Sequence, residues 1–325
     1  MSESESITPQ CESWEPDDSF RGKFRALLEL LRLPNVFTAM ADVLMGFLFV
    51  RQAFGRGDGW TLGLLIASSS SLYMAGMALN DVFDYAIDAV ERPERPLPSR
   101  RIGLGTARWL GWMLLFGGVV LALIAAMVGG QFRTAVVAVL LAGCIVFYDA
   151  WLKRTPLGPL GMGACRTLNV LLGMSVFGGA WQTAHWLVAA AIGTYIVGVT
   201  WLARTEARRS NRLHLLGATL VMLVGIGLLA GLLKVTEVLV PVLQFDPSRW
   251  YMVMTVLAVL IGWRVMQAIV DPSPAMVKNA VRQSILSLVI LDASACFAVR
   301  GAAAAVAVVL LLLPAAIIGQ WLEST

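Results

Sequence analysis

Apolar residues in this chain collect in long stretches rather than in the alternating or short amphipathic patterns of a soluble domain. Ten stretches stand out, at 34–53, 61–79, 107–128, 132–148, 163–181, 184–203, 213–233, 250–270, 280–298 and 302–322. A helix needs about 20 residues to cross roughly 30 Å of hydrocarbon. Each stretch therefore reads as a transmembrane helix, the last two being the least separable. The expected fold is all-α: a polytopic transmembrane bundle of nine to ten helices. Residues 1–20, rich in Ser, Glu and Asp, read as a disordered cytoplasmic tail, and residues 21–325 as one transmembrane domain. Between tail and first span, Phe24, Leu27, Leu28 and Leu31 recur at helical spacing among Arg21, Lys23, Arg25 and Arg32, as in a helix lying at the membrane interface.

Composition agrees, since 58% apolar and 14% charged residues exclude a water-soluble globule. The net charge of +4 suggests a nucleic-acid partner only until the charges are sorted by loop. Six of the 25 Lys and Arg, namely Arg51, Arg56, Arg133, Lys234, Arg249 and Arg300, fall on one side of the expected membrane. The other nineteen fall on the opposite side, in the N-terminal lead-in and in segments 80–108, 149–166, 204–212 and 264–282. Positive charge accumulates on the cytoplasmic side, so the N-terminus and these four segments are expected there, which in a bacterium means the inner membrane. No nucleic-acid partner is implied. The four cysteines are far apart along the chain and lie mostly in apolar stretches, which points to neither a disulfide framework nor a zinc site. A metal would need oxygen ligands.

Such ligands end the second span. From Asn80 to Asp88 no helix breaker intervenes before Pro93, so a continuous helix is expected. Asn80, Asp84 and Asp88 then follow at four-residue steps, and Asp81 lies three residues before Asp84, all on one face. Three carboxylates at a membrane edge repel unless a positive charge sits among them, and Mg2+, which bridges one or two carboxylates to phosphate, answers that need. A solvated helix end, or pairing with Arg92, Arg95, Arg100 and Arg101, is the plainer alternative. The proline-rich run Glu91 to Arg100 is expected to form a rigid, extended loop able to act as a lid.

The run Asn80 to Asp88, followed by Arg95-Pro96-Leu97-Pro98, resembles the first aspartate-rich signature of the UbiA superfamily of intramembrane prenyltransferases, N-D-x-x-D-x-x-x-D followed by P-x-R-P-L. The resemblance runs from Arg32 to about residue 298. It implies a cytoplasm-facing site in which Asn80, Asp84 and Asp88 hold Mg2+, Asp81 takes part in catalysis, and Arg95 helps bind a prenyl diphosphate. The start of the first span, Arg32 to Thr38, is similar to the family's first helix and adds Arg32 and Asn35 as diphosphate ligands. The segment Tyr148 to Arg154 resembles the family's tyrosine and lysine pair, implying catalytic roles for Tyr148 and Lys153 and a binding role for Arg154. The chemistry is consistent, because a departing diphosphate needs cations already in place. Asp149 offers another carboxylate. Arg166 and Asn169, three residues apart inside a span, read as part of a polar pocket, since an intramembrane Arg normally faces a cavity or an acid.

One family feature is missing. Where a second D-x-x-x-D motif follows the sixth span, this chain has Glu206 among Arg204, Arg208, Arg209 and Arg212. Guanidiniums bind phosphate bidentately, so Arg204 and Arg208 are expected to oppose the acids across the pocket and replace a second Mg2+. This departure, with Cys165-Arg166-Thr167-Leu168-Asn169, is similar to the EboC-like branch of the superfamily. The leading expectation is an Mg2+-dependent transferase moving a prenyl group from its diphosphate to a small acceptor within membrane lipid. The alternatives are transfer of a phosphosugar-type group to a polyprenyl phosphate, and a non-catalytic lipid-phosphate binder or transport partner. Neither His185, read as interfacial on the sparsely charged side, nor His214 offers an evident general base.

Overall fold

The computed structural model describes residues 19–51, 53–205, 209–235 and 246–323. Regular structure among the described residues is helical throughout: α1 (Phe20–Leu30), α2 (Leu33–Val50), α3 (Asp58–Phe83), α4 (Tyr85–Glu91), α5 (Leu104–Gly129), α6 (Arg133–Ala150), a 3-10 turn (Leu152–Arg154), α7 (Gly158–Met174), α8 (Thr183–Ala203), α9 (Arg212–Ala230), α10 (Leu232–Val235), α11 (Pro247–Val270), α12 (Pro274–Arg300), α13 (Ala302–Val309) and α14 (Leu312–Glu323). Nine described stretches are long and apolar enough to cross a membrane, with α9–α10 and α13–α14 each counted as one. The 17-residue α7 falls just short of that length, yet it packs between α2, α6 and α8. All ten apolar stretches thus have helical counterparts. The two that were hardest to separate part at Gly301, whose φ of 76° ends α12. The expected tail lies outside the described residues, apart from Ser19, which caps α1, and Phe20, which begins it.

The central helices α2, α7 and α12 are rich in buried residues, whereas only 17% of the α13–α14 stretch is buried. Small residues set the central contact. A Cβ on Gly173 would stand 2.3 Å from the Val43 carbonyl oxygen, and one on Gly46 would stand 2.5 Å from that of Val170. Only glycine permits this approach of α2 and α7, and close backbone packing is how helices associate without a hydrophobic drive between them.

Two expectations about local structure need correction. The helix carrying the acids is not continuous: α3 stops at Phe83, Asp84 (φ −94°, ψ 3°) intervenes, and α4 restarts at Tyr85. Cations from a distant loop take up α3's last carbonyls, Lys153 Nζ reaching Asn80 O at 3.3 Å and Arg154 Nη2 reaching Phe83 O at 3.0 Å. The proline-rich loop is not extended either. Hydrogen bonds from Arg95 N to Arg92 O, Ser99 N to Arg95 O and Ile102 N to Pro96 O fold it into successive turns, with Leu97 buried beneath.

His185, expected to be interfacial, is buried among protein side chains in the first turn of α8. It caps α8, its Nδ1 accepting from Gln182 N at 2.9 Å, and packs between Phe49 and Phe177. Cys144 and Cys165, distant in sequence, meet across α6 and α7 with 3.4 Å between their sulfurs. Both are free thiols.

Candidate active site

Arg32 occupies the turn between α1 and α2 in a left-handed conformation (φ 46°, ψ 49°), sparsely populated for a residue with a side chain. That turn sends its guanidinium to Asp81 Oδ1 at 3.5 Å. Arg95 reaches back from the folded proline loop to Asp88 Oδ2 at 2.6 Å and to Asp81 Oδ1 at 3.5 Å. From the turn after α6, Lys153 Nζ meets Asp84 Oδ2 at 2.8 Å and Asn80 Oδ1 at 2.9 Å, and Arg154 lies 3.7 Å from Asp84 Oδ1. The sequence-derived Arg32, Asn80, Asp81, Asp84, Asp88, Arg95, Lys153 and Arg154 therefore converge at one end of the bundle.

Every carboxylate of that face is already paired. Asp81, Asp84 and Asp88 contribute three negative charges, and Arg32, Arg95, Lys153 and Arg154 contribute four positive ones. The plainer alternative, pairing with downstream arginines, is realised by Arg95, whereas Arg101 instead pairs with Glu29 of α1 at 2.6 Å. A mouth of about 400 Å3, lined by Arg32, Asp81, Arg92 and Arg95, opens above the cluster.

A separate, narrow cavity of about 60 Å3 lies within the bundle, lined by apolar residues such as Leu72, Leu141, Ile145 and Met162. Tyr148 and Asp149 stand at one part of its wall, Ser69, Arg166 and Asn169 at another. Arg166 and Asn169 do not join the charged cluster. Arg166 donates to Asp42 Oδ2 and to Thr38 Oγ1, each at 2.8 Å, and Asn169 Nδ2 donates to Asp42 Oδ2 and to Ala39 O, each at 2.9 Å. The expected polar pocket is therefore real, but its arginine is satisfied from within the bundle. Asp42, absent from the sequence-based site, is its counter-ion, and Asp292 of α12, also fully buried, adds a second carboxylate facing Asp42 and Arg166. An acid inside an apolar helix is the signal that marks both.

Of the arginines after α8, Arg204 and Arg212 are engaged away from the acids. Arg204 donates to the carbonyls of Thr155, Lys153 (3.2 Å) and Pro156 (3.4 Å), so it stands behind the turn that carries Lys153. Arg212 donates to Val270 O at 3.1 Å. Arg208, like Glu206, lies outside the described residues. Asn35 lies on a separate cavity that it shares with Arg32. Tyr148 lines the apolar cavity with no polar partner among the described contacts.

The donors suit a hard cation in one respect and limit it in another. All are oxygens, and Asp149 Oδ2, buried close to Gly76, has no hydrogen-bond partner. Among the described residues, however, no group of three or more His, Cys, Asp or Glu side chains converges as a metal cage. These residues fit Mg2+ when phosphate oxygens complete its shell, which is how Mg2+ is usually bound.

The structure is thus an all-helical membrane bundle with acids and cations interleaved at one end and an apolar cavity inside. The UbiA prenyltransferase family model matches residues 39–288, and the chain belongs to that family. It is 34% identical over 168 residues to a digeranylgeranylglyceryl phosphate synthase of Ignicoccus hospitalis, covering 51% of this chain and 50% of the relative. It is 39% identical over 165 residues to the synthase of the same name from Methanosarcina barkeri, covering 47% and 55%. The chain thus spans about half the length of these relatives. In fold it resembles a solved digeranylgeranylglyceryl phosphate synthase, with a TM-score of 0.60, 19% identity, and 86% of this chain and 99% of that one covered. It likewise resembles a UbiA homolog from Archaeoglobus fulgidus solved with GPP and Mg2+, with a TM-score of 0.59, 13% identity and coverage of 80% and 99%.

Proposed function

We propose that the chain is an Mg2+-dependent prenyltransferase, which moves a prenyl group from a prenyl diphosphate to a small acceptor at the cytoplasmic end of the bundle. The observation that carries this reading is the interleaving of three acids, Asp81, Asp84 and Asp88, with four cations, Arg32, Arg95, Lys153 and Arg154. A site made only to solvate a helix end has no use for four converging cations. A site that accepts a metal-bound diphosphate needs both signs.

Mg2+, when bound with substrate, supplies Lewis-acid stabilisation of the leaving diphosphate. Asn80, Asp84 and Asp88, with Asp149 as a further carboxylate, would hold Mg2+, and Lys153 and Arg95, which now pair with Asp84 and Asp88, would turn to phosphate oxygens of the diphosphate. Lys153 and Arg154 then stabilise charge as the allylic C–O bond breaks and its electron pair leaves with the diphosphate. The prenyl chain enters the narrow apolar cavity, Leu141, Ile145 and Met162 moving aside, and water is kept from the carbocation. The acceptor's nucleophile then closes the new bond and releases a proton.

The test is diphosphate release by the purified full chain with Mg2+ and a panel of prenyl diphosphates, assayed with acceptor-containing membrane extract. Asp84→Ala and Asp88→Ala are expected to abolish release. An intact chain that binds prenyl diphosphate but consumes none with any acceptor supports the non-catalytic binder instead.

A further inference from the structure

Two thiols face one another at the wall of the apolar cavity. Cys144 on α6 and Cys165 on α7 are 21 positions apart in sequence, yet their sulfurs stand 3.4 Å apart. The two helices pack side by side and are joined by the short turn that carries Lys153. Both thiols are free, and Cys144 Sγ also lies 3.8 Å from Gly161 O. Their burial differs. Cys165 is buried and lines the cavity, whereas Cys144 is half-buried and stands outside the lining. Ile145 follows Cys144 on α6, Met162 lies three residues before Cys165 on α7, and both line the same cavity. At about 60 Å3 that cavity falls below the range of about 300–1,000 Å3 typical of ligand pockets. A prenyl chain therefore enters only if the walls borne by α6 and α7 give way.

We propose that Cys144 and Cys165 form a reversible disulfide when a hydroperoxide reaches the bundle, and that this bond closes the apolar cavity to long prenyl chains. The bond forms in two steps. The sulfur of Cys144 attacks the terminal oxygen of the hydroperoxide, the O–O bond breaks, and the thiol proton leaves with the other oxygen as water or an alcohol. The sulfur of Cys165 then attacks the sulfenic acid so formed, whose hydroxyl departs with the Cys165 proton as water. Two thiols are oxidised and one hydroperoxide is reduced. A disulfide spans about 2.05 Å, so the sulfurs close by about 1.4 Å and α6 is tied covalently to α7. The walls bearing Ile145 and Met162 are then held together. Exchange with a dithiol restores the two thiols. The consequence for prenyl chains rests on the prenyltransferase reading; the disulfide itself does not.

The test uses the purified, reduced full chain in phosphatidylcholine nanodiscs, treated with hydrogen peroxide, quenched and alkylated. Peptide mass spectrometry is expected to find Cys144 joined to Cys165, and dithiothreitol to return both as free thiols. Binding of dimethylallyl and of geranylgeranyl diphosphate, each with Mg2+, is measured before and after oxidation. Affinity for geranylgeranyl diphosphate is expected to fall at least about tenfold, since leaving about two methylene groups of its chain in water costs that much. Dimethylallyl diphosphate, with its short chain, should lose less, and dithiothreitol should restore both affinities. Cys144→Ser, a position outside the cavity lining, should bind both probes as the parent does and keep its affinity under peroxide. Peroxide that leaves the two thiols free, or converts them to separate sulfinic acids, overturns the proposal. A disulfide that leaves geranylgeranyl diphosphate binding unchanged overturns the closure of the cavity. A loss that persists in Cys144→Ser, or that dithiothreitol does not reverse, comes from another oxidation such as that of Met162 and overturns it too. If the disulfide forms but the reduced chain binds neither probe, the thiol pair stands, and the prenyltransferase reading fails together with the closure.

Discussion

Replacing Lys153 by Met keeps the length of the side chain and removes its charge. In the substrate-free site Lys153 Nζ holds Asp84 Oδ2 at 2.8 Å and Asn80 Oδ1 at 2.9 Å, with only a tenth of the side chain exposed. Its loss leaves Asp84 with Arg154 alone, a weaker partner at 3.7 Å whose side chain is half exposed. Two opposite effects follow. Mg2+ in the absence of diphosphate should bind Lys153→Met more tightly than the parent chain, because a competitor for Asp84 and Asn80 has gone. Turnover should fall by about 100- to 1,000-fold, the usual cost of removing one preorganised donor from a developing anion, or about 2.7–4 kcal/mol. The assays are Mg2+ titration of the purified chain by calorimetry and steady-state diphosphate release. A variant whose kcat stays within about threefold of the parent, or whose Mg2+ binding without diphosphate weakens, refutes the assignment.

Two further substitutions address the supporting structure. Asp42→Ala leaves Arg166 without its carboxylate partner, with Thr38 Oγ1 still accepting at 2.8 Å, and removes an acceptor from Asn169, deep in the bundle; breaking a buried pair from one side costs about 3–5 kcal/mol, read as a large drop in the thermal midpoint in detergent, whereas Asp42→Asn, which keeps an acceptor oxygen, should lose less. Arg204→Gln releases the carbonyls of Lys153 and Pro156, so it should lower kcat by loosening the Lys153 turn while leaving Mg2+ binding to the acid face unchanged; a rise in KM for prenyl diphosphate at constant kcat would place Arg204 on the substrate instead.

The pieces of this molecule that were readable in sequence are those fixed by neighbours along the chain. Hydropathy alone marks the spans, and four-residue spacing nominates Asn80, Asp84 and Asp88 together although the helix that carries them breaks at Asp84. What sequence could not show depends on partners far away. The break at Asp84 is stabilised by Lys153 and Arg154, about 70 residues on. Asp42 and Arg166 are separated by 124 positions, so the arginine was visible as an intramembrane charge but its counter-ion was not. The opposition expected between the acids and Arg204 failed for a similar reason. A short turn folded Lys153, Thr155 and Pro156 against α8, and their exposed carbonyls claimed the guanidinium first. Cys144 and Cys165 likewise meet only because α6 and α7 pack side by side.

In the proposed reaction diphosphate and Mg2+ enter together, because only phosphate can draw Arg95 and Lys153 off the carboxylates. The most direct measurement is Mg2+ affinity with and without a non-reactive prenyl thiolodiphosphate. Binding of each should tighten the other by the same factor, in the range of about 5- to 150-fold typical of coupled sites, and Asp84→Ala or Asp88→Ala should remove the coupling. Mg2+ that binds equally well with and without the thiolodiphosphate would contradict the account.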